Sequence, residues 1–171
     1  MILSGKVIQE KLDKEIIITP FNKDQLNPNS YNLRLHNELL IYDEKILDMK
    51  KENRTKRITI PEEGFVMKPN KLYLARTIEY TKTDYYVPML EGRSSIARLG
   101  IFVHISSSMG HVGSSGYWTL ELTCVQPVRI YANVAICQIF FHPIEGKYVC
   151  YENKYKASLD IKPSLLYKEF K

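Results

Sequence analysis

The sequence lacks the features that mark a membrane or secreted protein. Within its 171 residues, no apolar run approaches the roughly 20 residues that a membrane-spanning helix requires. Residues 1–6 have neither the apolar core nor the cleavage site of a signal peptide. We therefore expect a cytoplasmic protein that does not associate with a membrane.

Cysteine is also scarce. The sequence contains three cysteines, Cys124, Cys137 and Cys150, and no Cys-x-x-Cys pair. An odd number of well-separated cysteines argues against a disulfide framework and against a zinc site. Free, buried thiols in a reducing compartment are the simpler interpretation. We predict that the side chains of this chain bind no metal ion.

Charge is only mildly unbalanced, because 24 Lys and Arg against 19 Asp and Glu give a formal net charge of +5. The positive residues are dispersed except for one cluster, which consists of Lys50, Lys51, Arg54, Lys56 and Arg57. Such a cluster is more typical of a solvated loop than of a nucleic-acid surface, so we expect no nucleic acid polymer as a partner. A modest positive balance suits small anionic ligands.

Short segments of strand length, separated by turn residues, recur through most of the chain. Short strands at this spacing are typical of a mainly β fold, either a distorted β-barrel or a jelly roll. Ahead of them, residues 4–13 predict one short helix that Ser4 can cap. The predicted strands cover residues 16–19, 31–35, 39–42, 57–60, 64–67, 72–77, 87–90, 117–124, 128–131 and 136–142.

A chain of this length fits one domain, and we predict a single domain over residues 1–171. Its last part, residues 147–171, is polar and irregular and is predicted to form a C-terminal tail. Such a tail can pack on a neighbouring copy, close over a binding site or fray.

Two arginines and two serines lie within six residues, directly after Gly92. Guanidinium and hydroxyl groups suit phosphate oxygens, and the backbone N–H groups of such a loop can surround a polyphosphate. An ordinary surface loop with an ion pair is the alternative interpretation. This arginine–serine block consists of Arg93, Ser94, Ser95 and Arg98.

A carboxylate follows on a predicted strand, at Glu121. A carboxylate in a pocket can move protons, whereas a solvent-facing Glu on an amphipathic strand is the plainer interpretation. Before this strand, His104 is expected to be structural, and the serines at 106–108 could bind a ligand or form an ordinary turn. Because successive side chains of a strand point to opposite faces, Glu121 is predicted to share a face with Tyr117, Thr119 and Thr123. The other face would carry Trp118, Leu120, Leu122 and Cys124.

Five stretches of the sequence carry a resemblance to a known family. They are Asn27-Pro28-x-Ser30-Tyr31-x-Leu33-x-Leu35, Arg93-Ser94-Ser95-x-Ala97-Arg98-x-Gly100, Thr119-Leu120-Glu121, Ile136-Cys137-Gln138-Ile139 and Pro163-Ser164-Leu165. Together they resemble the dCTP deaminases of the dUTPase superfamily over nearly the whole chain, and the last two fit the bifunctional deaminase–dUTPase type. The resemblance implies a distorted, dUTPase-like β-barrel that assembles as a homotrimer with sites between subunits.

The resemblance also implies roles for individual residues. Glu121 corresponds to the general base and proton shuttle, while Ser94 and Arg98 position the water and the nucleotide. Mg²⁺ would arrive bound to the nucleotide phosphates. The implied nucleotide-binding residues are Arg93, Ser95, Ser107, His111, Gln138, Lys154 and Tyr155.

The implied reaction is the hydrolytic deamination of dCTP to dUTP and ammonia. It is expected to run without zinc, because the His-x-Glu and Pro-Cys-x-x-Cys motifs of zinc-dependent deaminases are absent from the sequence. Two alternatives stay open: cleavage of dUTP to dUMP and pyrophosphate, alone or together with deamination, and a non-catalytic nucleotide-binding regulator. The tail lacks the Gly-rich arm with an aromatic residue that trimeric dUTPases carry, which disfavours dUTPase activity alone.

Some positions depart from the family's pattern. An acidic residue and a large aromatic are replaced by His111 and Ser114, a Thr-Ala-Gly by the serines at 106–108, and a glutamine by Ser158. Loss of a large ring could open space for a cytosine modified at C5. The pocket wall around His111 and Ser114 is therefore expected to set substrate choice.

Overall fold

The computed structural model describes residues 1–170, whose regular elements are mainly β-strands. The helices are α1 (Gly5–Glu10) and α2 (Ser94–Ala97), and 3-10 turns cover Lys23–Gln25 and Leu166–Phe170. The strands are β1 (Ile17–Thr19), β2 (Tyr31–Tyr42), β3 (Thr55–Thr59), β4 (Phe65–Met67), β5 (Tyr73–Lys82), β6 (Tyr86–Gly92), β7 (Ile101–Phe102), β8 (Ser115–Cys124), β9 (Val128–Ile130) and β10 (Ala135–Pro143).

Antiparallel pairing joins most of these strands into one barrel-like sheet. Its strand order is β6-β10-β2-β5-β8-β7, with β1 added to β5 and β3 added to β2, while β4 and β9 form a separate pair. The prediction of a mainly β, barrel-like fold is confirmed. The largest fully buried side chains are Tyr31, Tyr73, Phe141, Ile8, Ile16, Leu33, Leu35, Leu39, Met67, Leu120, Leu122 and Ile139.

The N-terminal helix is present but shorter than the predicted 4–13. Ser4 caps α1 as expected, since its hydroxyl accepts a hydrogen bond from the backbone N–H three residues later, at 3.3 Å. The chain then turns back: Asp13 adopts a left-handed φ of 60° and donates its N–H to the carbonyl of Ile16. This reversal ends the helix and leads into β1.

Residues 31–35 and 39–42, predicted as two strands, form the single strand β2. A register shift against β5, between Leu35 and Leu39, takes up the irregular stretch. The strand continues because β3 pairs with it from Glu38 onwards. A pairing partner outside the local sequence therefore overrides the polar residues that suggested a break.

A second irregularity lies where β5 meets β8. Residues 77–79 of β5 oppose the single residue Trp118, so β5 bulges at this point. The hydroxyl of Thr77 fills the gap, accepting a hydrogen bond from the Trp118 N–H at 3.1 Å and donating one to the carbonyl of Glu79 at 2.9 Å. The flanking pairs are Arg76 with Thr119 and Tyr80 with Tyr117.

The bulge also directs a carboxylate inward. Glu79 is fully buried, and both the backbone N–H and the Nε of Arg34 donate to it, at 2.7 and 2.6 Å. A further guanidinium nitrogen of Arg34 donates to Asn133 at 2.9 Å. A buried carboxylate requires such partners, and removing either one would leave an uncompensated buried charge.

The outer edge of β8 positions the candidate site. β7 pairs only with Thr123 and Cys124, so the rest of this edge is available to other segments. The loop after β7 takes one part, where the Glu121 N–H donates to the carbonyl of Val103 at 3.0 Å. The tail takes another, where the Tyr117 N–H donates to the carbonyl of Ser158 at 2.8 Å.

The tail thus packs on its own chain. Ile161 is buried against Leu40 and Leu74, and the Lys162 N–H donates to the Thr119 hydroxyl at 3.0 Å. The structure describes the tail as far as Phe170. Lys171, the final residue of the predicted tail, lies outside the described residues.

All three cysteines are free thiols: Cys124 and Cys137 are buried, and Cys150 is half-buried. Burial raises the pKa of the Cys124 and Cys137 thiols. Within residues 1–170, no group of three or more His, Cys, Asp or Glu side chains is arranged to bind a metal ion. In the same part of the chain, no helix has the length and apolar character needed to cross a membrane.

Candidate active site

A cleft of about 630 Å³ runs along the edge of β8. Its walls come from β8, from the loop that connects β7 to β8, and from the tail between Tyr151 and Ser164, with Tyr42 of β2 and Leu74 and Thr81 of β5. Glu121 and Trp118 both line this space. A concave site formed by strand, loop and tail is where a small ligand would bind.

Glu121 is half-buried in the cleft wall and does not point freely into solvent. The backbone N–H of Ile105 donates to its Oε2 at 3.0 Å, which fixes the orientation of the carboxylate. A carboxylate with one oxygen fixed in this way can exchange protons with water or ligand through the other. The geometry therefore suits the proton-transfer role predicted for this residue.

The loop before β8 brings two more predicted residues to the cleft, Ser107 and His111. Ser107 is exposed at the cleft wall. The His111 ring stacks on Tyr151 of the tail, with centroids 5.1 Å apart and planes 19° from parallel. Ser114 closes the turn, because its hydroxyl accepts from the His111 N–H at 3.1 Å and donates to the His111 carbonyl at 2.5 Å.

His104 does not line the cleft, and its Nε2 lies 3.5 Å from a carboxylate oxygen of Glu91. This contact fits the structural role expected for that histidine.

The arginine–serine block forms α2 and lies outside the cleft of its own chain. The buried side chain of Ile96 holds α2 against the barrel, while Ser94, Ser95 and Arg98 are exposed. Arg93 donates from its guanidinium to the carbonyl of Ala135 at 2.8 Å. Three of the four predicted side chains are therefore presented outward rather than towards Glu121.

Gln138 lies next to this block rather than in the cleft. Its Nε2 donates to the carbonyl of Gly92 at 3.2 Å, and its Oε1 accepts from the Ser30 hydroxyl at 2.8 Å. Apart from Lys154, the predicted site residues thus fall into two groups on one chain. The cleft group contains Glu121, Ser107, His111 and Tyr155, and the second group contains the arginine–serine block and Gln138.

The two predicted tail residues differ in position. Tyr155 lines the cleft, and its hydroxyl accepts from the Leu165 N–H at 3.0 Å. Lys154 does not line it but forms an ion pair with Glu169, which raises the pKa of the lysine. If Lys154 bound a phosphate group, its ammonium would exchange the Glu169 carboxylate for a phosphate oxygen.

Most of the chain matches a known protein family. The family described as dCTP deaminase-like matches residues 2–144. The chain belongs to this family. A relative from Clostridium acetobutylicum, named "dCTP deaminase, dUMP-forming", is 63% identical over 171 residues, or 99% of each chain. A relative of the same name from Hathewaya histolytica is 61% identical over the same length and share.

A solved structure supports the fold of this dCTP deaminase family member. The crystal structure of 2'-deoxycytidine 5'-triphosphate deaminase from Agrobacterium tumefaciens matches 82% of this chain with a TM-score of 0.65 and 18% sequence identity. This chain spans 46% of the length of that one. The predicted family, and the prediction that the chain is an enzyme of this type, are confirmed.

Two features of this family member were not predicted from its sequence. One is Trp118, which alternation assigns to the core face but which also borders the cleft. The other is an ion cluster that joins the tail to the barrel. In it Arg57 donates to Asp160 of the tail at 2.7 Å and to Glu38 at 2.8 Å, while Arg76 lies 2.7 Å from the Nε2 of His36.

The cluster changes the titration of its members. Arg57 holds the pKa of the Asp160 carboxyl below its usual range. Burial, and then the nearby positive charge of Arg76, lower the pKa of His36. Arg76 also lies over the ring of Tyr117, 4.4 Å from its centroid, so the cluster reaches a residue of the cleft wall.

Proposed function

We propose that this enzyme converts dCTP to dUMP by two hydrolytic steps, deamination followed by release of pyrophosphate, and that it does so in the cytoplasm. The proposal rests on the cleft carboxylate of Glu121, oriented by the Ile105 N–H, in a chain that aligns end to end with relatives named dUMP-forming. Those names support the bifunctional alternative better than dUTP as the end product.

In the first step, Glu121 takes a proton from a water molecule, whose oxygen attacks C4 of cytosine. The protonated carboxyl delivers this proton to N3. The carboxylate then takes the proton of the new hydroxyl at C4 and delivers it to the amine, so that ammonia departs and a carbonyl remains at C4. One carboxylate serves both directions because the Ile105 N–H fixes one oxygen at 3.0 Å and leaves the other for proton transfer.

In the second step, a further water molecule cleaves the bond between the α- and β-phosphates of dUTP. The substrate would enter as its Mg²⁺ complex, in which the metal ion would offset the negative charge that develops on the leaving pyrophosphate. Arg93, Ser95, Gln138 and Lys154 are the groups that we propose contact the phosphates. The guanidinium and ammonium groups supply positive charge, and the hydroxyl and amide supply hydrogen bonds.

We further propose that the working enzyme is a homotrimer in which a neighbouring copy supplies the arginine–serine block to each cleft. The exposed side chains of Ser94 and Arg98 support this, because they do not line the cleft of their own chain. Apolar side chains around α2 are also exposed, which suits burial against another copy. They are Leu99, Phe102 and Val125, with 48%, 53% and 66% of their surface accessible.

The decisive experiment incubates the pure protein with dCTP and Mg²⁺, and separates nucleotides, ammonia and pyrophosphate. We expect dUMP, ammonia and pyrophosphate in equal amounts. Accumulation of dUTP without dUMP would limit the enzyme to deamination, and nucleotide binding without turnover would make it a regulator. Parallel reactions with 5-methyl-dCTP and dUTP test whether a C5 substituent is accepted and whether dUTP is a free substrate.

Replacing Glu121 by Gln keeps the shape of the side chain but removes proton acceptance. We expect Glu121→Gln to lower deamination by at least about 10³-fold, a loss typical of acid–base groups. The matched control is Glu145→Gln, because Glu145 is exposed and outside the cleft. Near-parental deamination by Glu121→Gln would remove the carboxylate from the mechanism.

A further inference from the structure

Trp118 is the single tryptophan of the sequence. It borders the cleft and lies on β8, the same strand as Glu121. Strand alternation alone would direct it to the core, together with Leu120 and Leu122. Instead it is only half-buried, packing on the core with one part and lining the cleft with another.

The β5 bulge explains this position. Because residues 77–79 oppose Trp118, its N–H has no carbonyl partner in the ladder and bonds to the Thr77 hydroxyl at 3.1 Å. Bulges change the direction of the side chains beside them. The Trp118 N–H thus stays paired opposite the bulge, and the Trp118 side chain lines the cleft at this point.

Two further contacts fix the indole ring. Its Nε1 donates to the hydroxyl of Thr81 at 2.8 Å, and Thr81 is itself buried. On the opposite loop, a Cβ at Gly110 would lie 2.4 Å from the outer ring atom Cη2, so only glycine leaves room for the ring. An indole that donates a hydrogen bond to Thr81 and packs closely against Gly110 has little freedom to rotate.

Four small residues line the cleft together with Trp118: Gly110, Ser114, Ser115 and Gly116. The other rings of the lining belong to Tyr42, His111, Tyr117, Tyr151 and Tyr155, and Trp118 carries the largest of these flat surfaces. A flat aromatic surface beside small side chains suits a planar heterocycle, since every nucleobase has a face that can stack.

We propose that Trp118 is a specificity-determining residue whose indole packs against the pyrimidine ring of the bound nucleotide. The assignment rests on the proposed function, because it takes the cleft as the nucleotide site. Trp118 does not supply a reacting group in this scheme. Its contribution is to binding of the ring, and Thr81 and Gly110 act as positioning residues for it.

The test uses tryptophan fluorescence, which reports on this position alone. In the Glu121→Gln background, where turnover is blocked, we expect dCTP to quench the emission and the quench to saturate with binding measured by equilibrium dialysis. Tripolyphosphate, which carries the phosphates without a base, is expected to leave the emission unchanged. Free N-acetyltryptophanamide at the same nucleotide concentrations corrects for light absorbed by the base.

Variants separate ring contact from simple packing. Trp118→Leu is expected to weaken dCTP binding about five- to a hundredfold, the range for stacking of one base on an aromatic ring. Trp118→Phe keeps a ring and is expected to raise the KM for dCTP with kcat little changed. Because Trp118→Leu also removes core packing, Trp118→Phe keeps the test valid if the first variant does not fold.

The outcomes are distinct. If the parent enzyme turns over dCTP but its emission does not respond to dCTP, or if Trp118→Phe and Trp118→Leu keep parental KM, the ring contact is wrong and the proposed function stands. If no pyrimidine nucleotide is bound or turned over at all, both are overturned.

Discussion

Gly110 limits how close the loop before β8 can come to the indole of Trp118. An added Cβ would lie 2.4 Å from Cη2 of Trp118 and 3.0 Å from Cγ of Pro88. We expect Gly110→Ala to lower the free energy of unfolding by about 1–3 kcal/mol, as overpacking commonly does. Denaturant unfolding measures this, and the matched control is Gly92→Ala, whose Cβ would meet only Val103 at 3.8 Å.

A double variant identifies the clash. Combined with Trp118→Leu, the Gly110→Ala change is expected to destabilise the protein by less than the sum of the two single changes, because the shorter side chain leaves room for the methyl group. Strict additivity would instead assign the strain to Pro88 and remove Gly110 from the positioning of the indole.

For individual residues, the sequence predicts the position of some side chains well and of others not at all. Glu121 could be assigned to the partly exposed face of its strand because alternation is a local property of the chain. Trp118 could not be assigned to the cleft, because the bulge that lies opposite it is in β5, some 40 positions earlier in the sequence. Equally, nothing local pairs Arg34 with Glu79.

Among the elements, the ion cluster is one of the contacts that join the tail to the barrel. The Nε2 of His36 accepts a hydrogen bond from the Arg76 guanidinium at 2.7 Å, and Glu38 of β2, Arg57 of β3 and Asp160 of the tail also face this histidine. Arg76 is a permanent donor, so this contact requires a neutral imidazole. Protonation of His36 would place two cations together at the base of the tail.

The direction of the pH effect follows from the lowered pKa of His36. A group whose pKa is depressed by folding contributes its full stability above the unfolded value of 6.5, and loses it as pH falls from there through the folded-state pKa. We expect the thermal midpoint to fall with acidification below about 6.5 and to fall less in His36→Gln, whose amide oxygen still accepts from Arg76.

The control for this prediction is His142→Gln, which removes a histidine of β10 that lies outside the cluster. Its midpoint is expected to follow the parental curve. If the thermal midpoints of the parent and His36→Gln fall equally as the pH is lowered, His36 is not the group that makes stability depend on pH.

The elements also show where sequence patterns reach their limit. The strand segments were predicted correctly as a class, because short apolar stretches between turn residues are a direct consequence of a barrel. The continuity of β2 was not, since it depends on pairing with β3 and on a register shift against β5. The path of the tail depends on Asp160 and Ser158 meeting partners more than 40 residues away.

For the whole molecule, the separation of the two predicted site groups leads to a complementation test. If Glu121 and Arg98 act in the same site but come from different copies, two inactive variants can restore each other. We expect Glu121→Gln and Arg98→Ala to be nearly inactive alone. Co-expressed in equal amounts, the two variants should recover about a quarter of the parental activity. In a cyclic assembly of randomly mixed copies, about one site in four combines an intact Glu121 from one copy with an intact Arg98 from its neighbour.

The result is read against two measurements. Light scattering of the parent should give three times the mass of one chain, and a mixture of Glu121→Gln with the double variant should stay inactive. Full activity from a species of single-chain mass would exclude a shared site. A trimer without recovery in the mixed sample would place both residues in one copy.

Cys150 gives the molecule a built-in chemical reporter. Its backbone and side chain fit under Gly113, where an added Cβ would lie 2.6 Å from the Cys150 Cβ, and it is half-buried while the other two thiols are buried. The rate at which an alkylating reagent labels one thiol per chain therefore follows how often this part of the tail lifts from the barrel. We expect dCTP to slow labelling of Glu121→Gln at least about threefold, and mass spectrometry to find the label on Cys150. An unchanged labelling rate at saturating dCTP would mean that the tail is equally closed with and without nucleotide.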